Sequence, residues 1–179
     1  TLVFDDQRLT ADMFNRRVNR LANALLEMGI RKGDKIATLL PNSLELVDTY
    51  MAVAKIGAVV VPLSPLLRGQ GLSRLLNDSD SSALITTHEL VPYINPIRGE
   101  LPAISASNFI VIDGEVDGYR SYQSLVANAS EDNPIGITVD LQDPYNIIYS
   151  SGTTGLPKGI VHNHYVRLMY CTLFASAYR

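Results

Sequence analysis

A single cysteine, Cys171, occurs in the 179 residues, which excludes an internal disulfide. Its setting in "LMYCTLF" reads as a small buried apolar position, not a nucleophile. No stretch approaches the roughly 18 uninterrupted apolar residues of a membrane span, so none is expected. Charge is sparse as well: 18% of residues are charged and the formal net charge is −3. Lysine and arginine are scattered, without a basic run interleaved with aromatics, so nucleic acid is not an expected partner. Internal repeats and low-complexity tracts are missing too. With 46% hydrophobic residues, the balance is that of an ordinary globular domain. These absences together point to a soluble protein in a reducing compartment, and a cytoplasmic location is expected. The chain opens at Thr1 without a methionine and stops within a helical pattern, so truncation of a longer protein is expected.

What is present is a regular alternation. Thr10 can cap a helix on which Phe14, Val18, Leu21, Ala22, Leu25 and Leu26 recur at helical spacing. Arg16, Arg17, Asn19, Arg20 and Asn23 lie largely off that stripe, and Gly29 supplies a stop. "KGD" makes a turn into "KIATLLP", a buried strand. Ser43 then opens a second helix, through Ile56, carrying Leu44, Val47, Tyr50, Met51 and Ala54, and "AVVVPL" is the next strand. Continuous apolar strands of this kind suit a parallel sheet covered on both faces. A third helix and strand fill "GQGLSRLLNDSDSSALIT". "HELVPYI" reads as a short helix broken around Pro96, and residues 95–108 as surface loop. "NFIVID" is a strand, "SYQSLVANA" a helix and "PYNIIYS" a last strand, after which Asn163 can cap a helix over 165–178. The expected fold class is α/β: layered βαβ units around a mostly parallel sheet, with no linker that divides the chain.

The last strand runs into "SSGTTGLPKG". Gly152 and Gly155 permit turns and close backbone approach, and successive amides there can form an anion nest. Ser150, Ser151, Thr153 and Thr154 add short hydroxyl donors, and Lys158 a mobile positive charge suited to a polyphosphate. Ligands of open α/β sheets also bind beyond the carboxyl ends of strands. A serine–glycine surface turn is the alternative reading of the same composition. Two other phosphate loops are excluded. A Walker A loop needs Gly-Lys-Ser/Thr in succession, and Lys158 lies between Pro157 and Gly159; the Gly-x-Gly-x-x-Gly spacing is absent around Gly152.

The string "IIYSSGTTGLPKGIV", Ile147 to Val161, closely resembles the signature of the adenylate-forming enzymes. That superfamily of AMP-dependent synthetases and ligases includes acyl-CoA synthetases, 4-coumarate–CoA ligases, firefly luciferase and the adenylation domains of peptide synthetases. Upstream, "VNRLANALLEMGIRKGDKIATLLPNSLELV" and "AVAKIGAVVVPLSP" resemble the family's N-terminal segment in order and spacing. The resemblance runs from about Phe4 onward and covers about the first third of a typical member. It implies that residues 1–179 are part of the large N-terminal AMP-binding (adenylation) domain. It further implies ATP-dependent activation of a small-molecule carboxylic acid to an acyl-adenylate with release of pyrophosphate. The acyl group then passes to the thiol of coenzyme A or, alternatively, of a carrier protein.

By the same resemblance the cofactors are ATP, Mg2+ and coenzyme A. Thr153 and Thr154 would contact the β- and γ-phosphates, with Ser150, Ser151, Gly152 and Gly155 assisting. Lys158 would meet phosphate in one loop state or stabilise the loop itself. Thr153, Thr154 and Lys158 are thus the expected catalytic residues. The family's adenine- and ribose-binding motifs and its catalytic lysine have no counterpart here, so the chain alone is expected to be a non-catalytic piece. Apolar surface left where such a domain continues would favour self-association.

His162 and His164 are two apart, a spacing that does not pair them on a helix face. No local cysteine or carboxylate completes a zinc set, so no metal ligands are expected in the chain. His164 falls where many members of the resembled family carry a histidine near the acyl pocket; otherwise it reads as a packing or capping residue. Tyr149 reads as the last packed residue of its strand, and Asp34 and Asp48 as turn or solvated carboxylates.

Overall fold

A computed structural model describes residues 1–151 and 157–177. A short antiparallel hairpin, β1 (Leu2–Phe4) and β2 (Gln7–Leu9), leads into α1 (Ala11–Glu27). The Thr10 hydroxyl accepts the Met13 amide at 3.2 Å, as its capping position predicts. After the helix Gly29 adopts a φ of 94°, a conformation in which a Cβ would be strained. The chain then enters β3 (Lys35–Leu39). Ser43 caps α2 (Leu44–Lys55), which returns to β4 (Val59–Leu63). α3 (Gly69–Asp78) and β5 (Ser81–Thr86) make the next unit. Short helical turns, among them α4 (Val91–Ile94), connect to β6 (Phe109–Val111), β7 (Arg120–Ser121) and α5 (Tyr122–Ala127). β8 (Pro144–Ser151), β9 (Pro157–Asn163) and α6 (His164–Ala177) follow.

The main sheet has the order β7-β6-β5-β3-β4-β8-β9. It is parallel throughout except for the antiparallel β8–β9 hairpin. Crossovers between parallel strands are right-handed, so the direction of each step decides which face its connection covers. Steps to one side place α2 and α5 with α1 over Ile36, Val60, Ala83, Ile85 and Ile110. Steps to the other side place α3 and residues 88–108 over Ala37, Leu39, Val61 and Leu84. Residues 95–108, read from sequence as surface loop, therefore bury Ile97, Leu101 and Ile104 in the second core. Pro96 and the glycine and serine there describe the backbone shape and not its burial.

α2 is rotated from its apolar stripe: Asp48, Thr49, Ala52 and Val53 are buried, while Met51 is exposed. Burial of the polar pair is possible because each finds a partner. The Thr49 hydroxyl donates to the Glu45 carbonyl at 2.7 Å. Asp48, expected as a solvated carboxylate, is 0% exposed. It accepts from Arg17 at 2.5 and 3.3 Å and from the Tyr122 hydroxyl at 3.1 Å, joining α1, α2 and α5. Asp34 does serve a turn, accepting the Arg31 amide at 2.7 Å.

The polar side of α1 is likewise engaged. Residues 128–143 carry the chain from β7 back to the far side of β4, and α1 holds that return. Asn19, 2% exposed, donates to the Glu131 carbonyl at 2.6 Å and accepts from Lys55 at 2.6 Å. Asn23 donates to the Ser130 and Asp132 carbonyls at 2.9 Å, and Arg16 and Arg20 pair with Glu131. The Lys55 ammonium also donates to Asn15 and Asn133, each at 2.7 Å. Lys32 closes the seam through the Thr138 carbonyl at 3.0 Å and Asp143 at 2.6 Å.

β8 meets β4 at a single registered pair, Val60↔Asn146, and then runs on paired with β9. The sequence pattern does not reveal β9. Tyr149 sits opposite Gly159, where a Cβ would lie 2.9 Å from the Ile147 side chain and 3.4 Å from the Tyr149 ring. Asn163 caps α6 as expected, its Oδ1 accepting the Val166 amide at 2.9 Å. Cys171, read as buried, is exposed. Leu168, Leu173 and neighbouring apolar residues on α6 are exposed with it, because the apolar sequence around Cys171 finds no facing layer among the described residues.

Asp48→Ala should lower the stability of the chain by about 3 kcal/mol, since it strands a half-buried guanidinium; urea unfolding measures it. Burial is the largest influence on the Asp48 carboxyl and raises its folded pKa above the ordinary 3.8. Its own contribution is therefore fully present below the unfolded pKa and is lost as pH rises through the folded value. The stability of wild type relative to Asp48→Asn should fall across that window and then level, as paired unfolding curves at several pH values would show. Gly159→Ala should cost about 1–3 kcal/mol through overpacking, with strand-specific loss of amide protection in β8 and β9.

Candidate functional site

The segment singled out by its glycines, hydroxyls and lysine joins β8 to β9. β8 is parallel to β4, so its carboxyl end points the same way as those of β3, β4 and β5. Ser150 and Lys158 face each other across the hairpin ladder, and both are exposed. Ser151 closes β8 opposite Pro157. Gly152, Thr153, Thr154 and Gly155 lie outside the described residues. The ladder thus brings a hydroxyl and an ammonium to the two roots of the loop. A short donor and a flexible cation at one end of a parallel strand suit an anionic group, which needs several donors and a counter-charge.

Tyr149 holds the base of this arrangement. Its ring joins the core beneath α3 together with Ile147. Its hydroxyl donates to Asp78 on α3 at 2.6 Å and approaches the Leu75 carbonyl at 3.5 Å. Burial first, and then the Asp78 carboxylate, push the phenol well above its ordinary pKa, so it remains a protonated donor. Sequence reasoning places Tyr149 as a packed strand end but gives no sign of Asp78, which is 71 residues away in an unremarkable stretch of α3.

The two histidines separate. His162 pairs across the ladder with buried Asn146, its Nδ1 lying 3.0 Å from Asn146 Oδ1. His164 begins α6, packs edge-on against Tyr145 at 5.3 Å, and its amide donates to the Asp143 carbonyl at 3.1 Å. Burial lowers its pKa despite the nearby Asp143. Strands rise about 3.3 Å per residue, so β9 carries His164 roughly 20 Å from the loop. It lines a groove there with Met51, Ala54 and Leu141. Among the described residues no group of three or more His, Cys, Asp or Glu side chains is placed to hold a metal ion. Among them, too, no helix is long and apolar enough to cross a membrane.

Relatives share both sequence and shape. A long-chain-fatty-acid–CoA ligase, FadD13 of Mycobacterium tuberculosis, is 37% identical over 160 residues, covering 89% of this chain and 30% of the ligase. A crotonobetaine/carnitine–CoA ligase of Salmonella typhimurium is 34% identical over 155 residues, covering 84% of this chain and 30% of that one. Among solved structures, the anthranilate–CoA ligase AuaEII in complex with anthranoyl-AMP superimposes with a TM-score of 0.82 at 31% identity. The match covers 89% of this chain and 30% of that one. The N-terminal domain of FACL13 from Mycobacterium tuberculosis gives 0.75 at 34% identity, covering 89% of this chain and 38% of that one. The chain therefore spans about 30% of the length of the curated relatives it matches. Residues 1–178 match the AMP-binding enzyme family, and the chain belongs to that family.

Proposed function

We propose that residues 1–179 form the N-terminal part of an AMP-binding domain, and that residues 150–158 are its phosphate-binding segment in an ATP-dependent acid–thiol ligase. The observation that carries this reading is the placement of Ser150 and Lys158 at the two roots of a loop whose sequence is the family's signature. In the reaction, a carboxylate oxygen of the substrate attacks the α-phosphorus of ATP, and the bond to the bridging oxygen breaks to release pyrophosphate. The thiol of coenzyme A then displaces AMP from the acyl-adenylate. The CoA ligases among the relatives favour that acceptor.

The part played by this chain is electrostatic. Ser150, Ser151, Thr153 and Thr154, with the amides of Gly152 and Gly155, would hold the β- and γ-phosphates, and Lys158 would offset charge gathering on the leaving pyrophosphate. Mg2+, bound through phosphate oxygens, would add Lewis-acid polarisation there. The hydroxyls and lysine fit such a ligand, since all can donate and none adds negative charge. A cytoplasmic location goes with this reading, because ATP and coenzyme A are cytoplasmic reactants.

ATP–pyrophosphate exchange with a panel of carboxylic acids tests the proposal. A protein that joins this segment to the remainder of such a ligase should show carboxylate-dependent exchange and thioester formation. In it, Thr154→Ala should lower the exchange rate about 10²–10³-fold, the usual loss for a donor to developing charge. The 179-residue chain by itself should show no exchange, since catalysis needs both reactants held together. Absence of exchange and of thioester in the longer protein would overturn the ligase reading.

A further inference from the structure

Beyond Asn146 the β8–β9 hairpin is joined to the body of the sheet by the packing of Ile147 and Tyr149 and by few polar contacts. Its registered pairing with β4 is the one position Val60↔Asn146. Among the described side chains of residues 147–150 and 157–161, Tyr149 is the one seen to hydrogen-bond to another element, reaching Asp78 and the Leu75 carbonyl of α3. The first, at 2.6 Å, has the length of a charge-assisted bond from a hydroxyl to a carboxylate. On its other side the Tyr149 ring lies against the bare backbone of Gly159, where a Cβ would come within 3.4 Å. One side chain therefore joins α3, β8 and β9 directly beneath the Ser150–Lys158 pair.

We propose that Tyr149, clamped between Asp78 and Gly159, is the positioning residue for the phosphate loop: it locks the hairpin against α3 and so fixes where Ser150 and Lys158 present their donors. The inference rests on reading residues 150–158 as a phosphate-binding segment. Its physical basis is pre-organisation. A site that is competent only part of the time binds more weakly by the fraction of time it is competent, and a hairpin released from α3 would present Ser150 and Lys158 in other positions. Asp78 acts through Tyr149 and need only accept its hydrogen bond.

The test compares Tyr149→Phe, Asp78→Ala and Asp78→Asn with the wild-type chain in two measurements. Amide hydrogen exchange comes first and needs no ligand. Tyr149→Phe and Asp78→Ala should speed exchange about tenfold at residues 148–151 and 157–160 and leave β3 and β4 unchanged, the loss expected for one charged hydrogen bond and a local opening. Asp78→Asn, which retains an acceptor without the charge, should speed it less than Asp78→Ala does. Titration with MgATP comes second, and the same two variants should bind about tenfold more weakly while Asp78→Asn loses less than Asp78→Ala does. Unchanged exchange in Tyr149→Phe and Asp78→Ala would overturn the clamp. Faster exchange with undiminished MgATP affinity would overturn its positioning role and leave a purely structural contact. A wild-type chain that binds no MgATP, while the exchange pattern follows the clamp, would instead count against residues 150–158 as the phosphate-binding segment.

Discussion

The return of the chain across the sheet is the constraint on which everything later in the sequence depends. After β7 the next strand must pair on the far side of β4, and residues 128–143 have to make that journey without regular structure of their own. The segment is largely exposed, so its course has to be fixed by specific polar contacts and not by burial. α1 supplies them through Asn19 and Asn23, which donate to backbone carbonyls, and Arg20, which pairs with the Glu131 carboxylate, while Lys55 ties the same segment to α2. If that seam were open, β8 would have no fixed register against β4, and the loop would have no fixed root.

A second constraint follows from handedness. Because each right-handed crossover chooses its face by the direction of its step, the strand order alone distributes the helices into two cores. Those cores leave β8 in an unusual position. Its first residues complete the parallel sheet, whereas its last residues belong to a hairpin that leans on α3 through Ile147 and Tyr149. Ser150 and Lys158 thus sit where the parallel sheet gives way to a two-stranded projection.

Legibility in the sequence divides along the same line. Helix caps and strand runs were readable because they depend on neighbours: Thr10, Ser43 and Asn163 each cap the helix that follows. The candidate site was readable as a string, because its glycines, hydroxyls and lysine are contiguous. What escaped were partners distant in the chain. Asp48 resembles a solvated helix carboxylate until Arg17 and Tyr122 are brought to it. Residues 95–108 resemble a loop until the second core needs Ile97, Leu101 and Ile104. Cys171 and its apolar neighbours read as buried, yet a helix face is buried only where another layer meets it.

The sequence by itself determined the α/β alternation, the caps at Thr10, Ser43 and Asn163, and the family to which the loop string points. All of these rest on short-range geometry or on contiguous residue identity. Only the tertiary structure decided the strand order, the antiparallel β9, the burial of Asp48 and the contact between Tyr149 and Asp78. Those features depend on which surfaces meet after long loops close. Side-chain pairs of that kind carry no periodic signal, and their energetics exist only once the elements around them have packed.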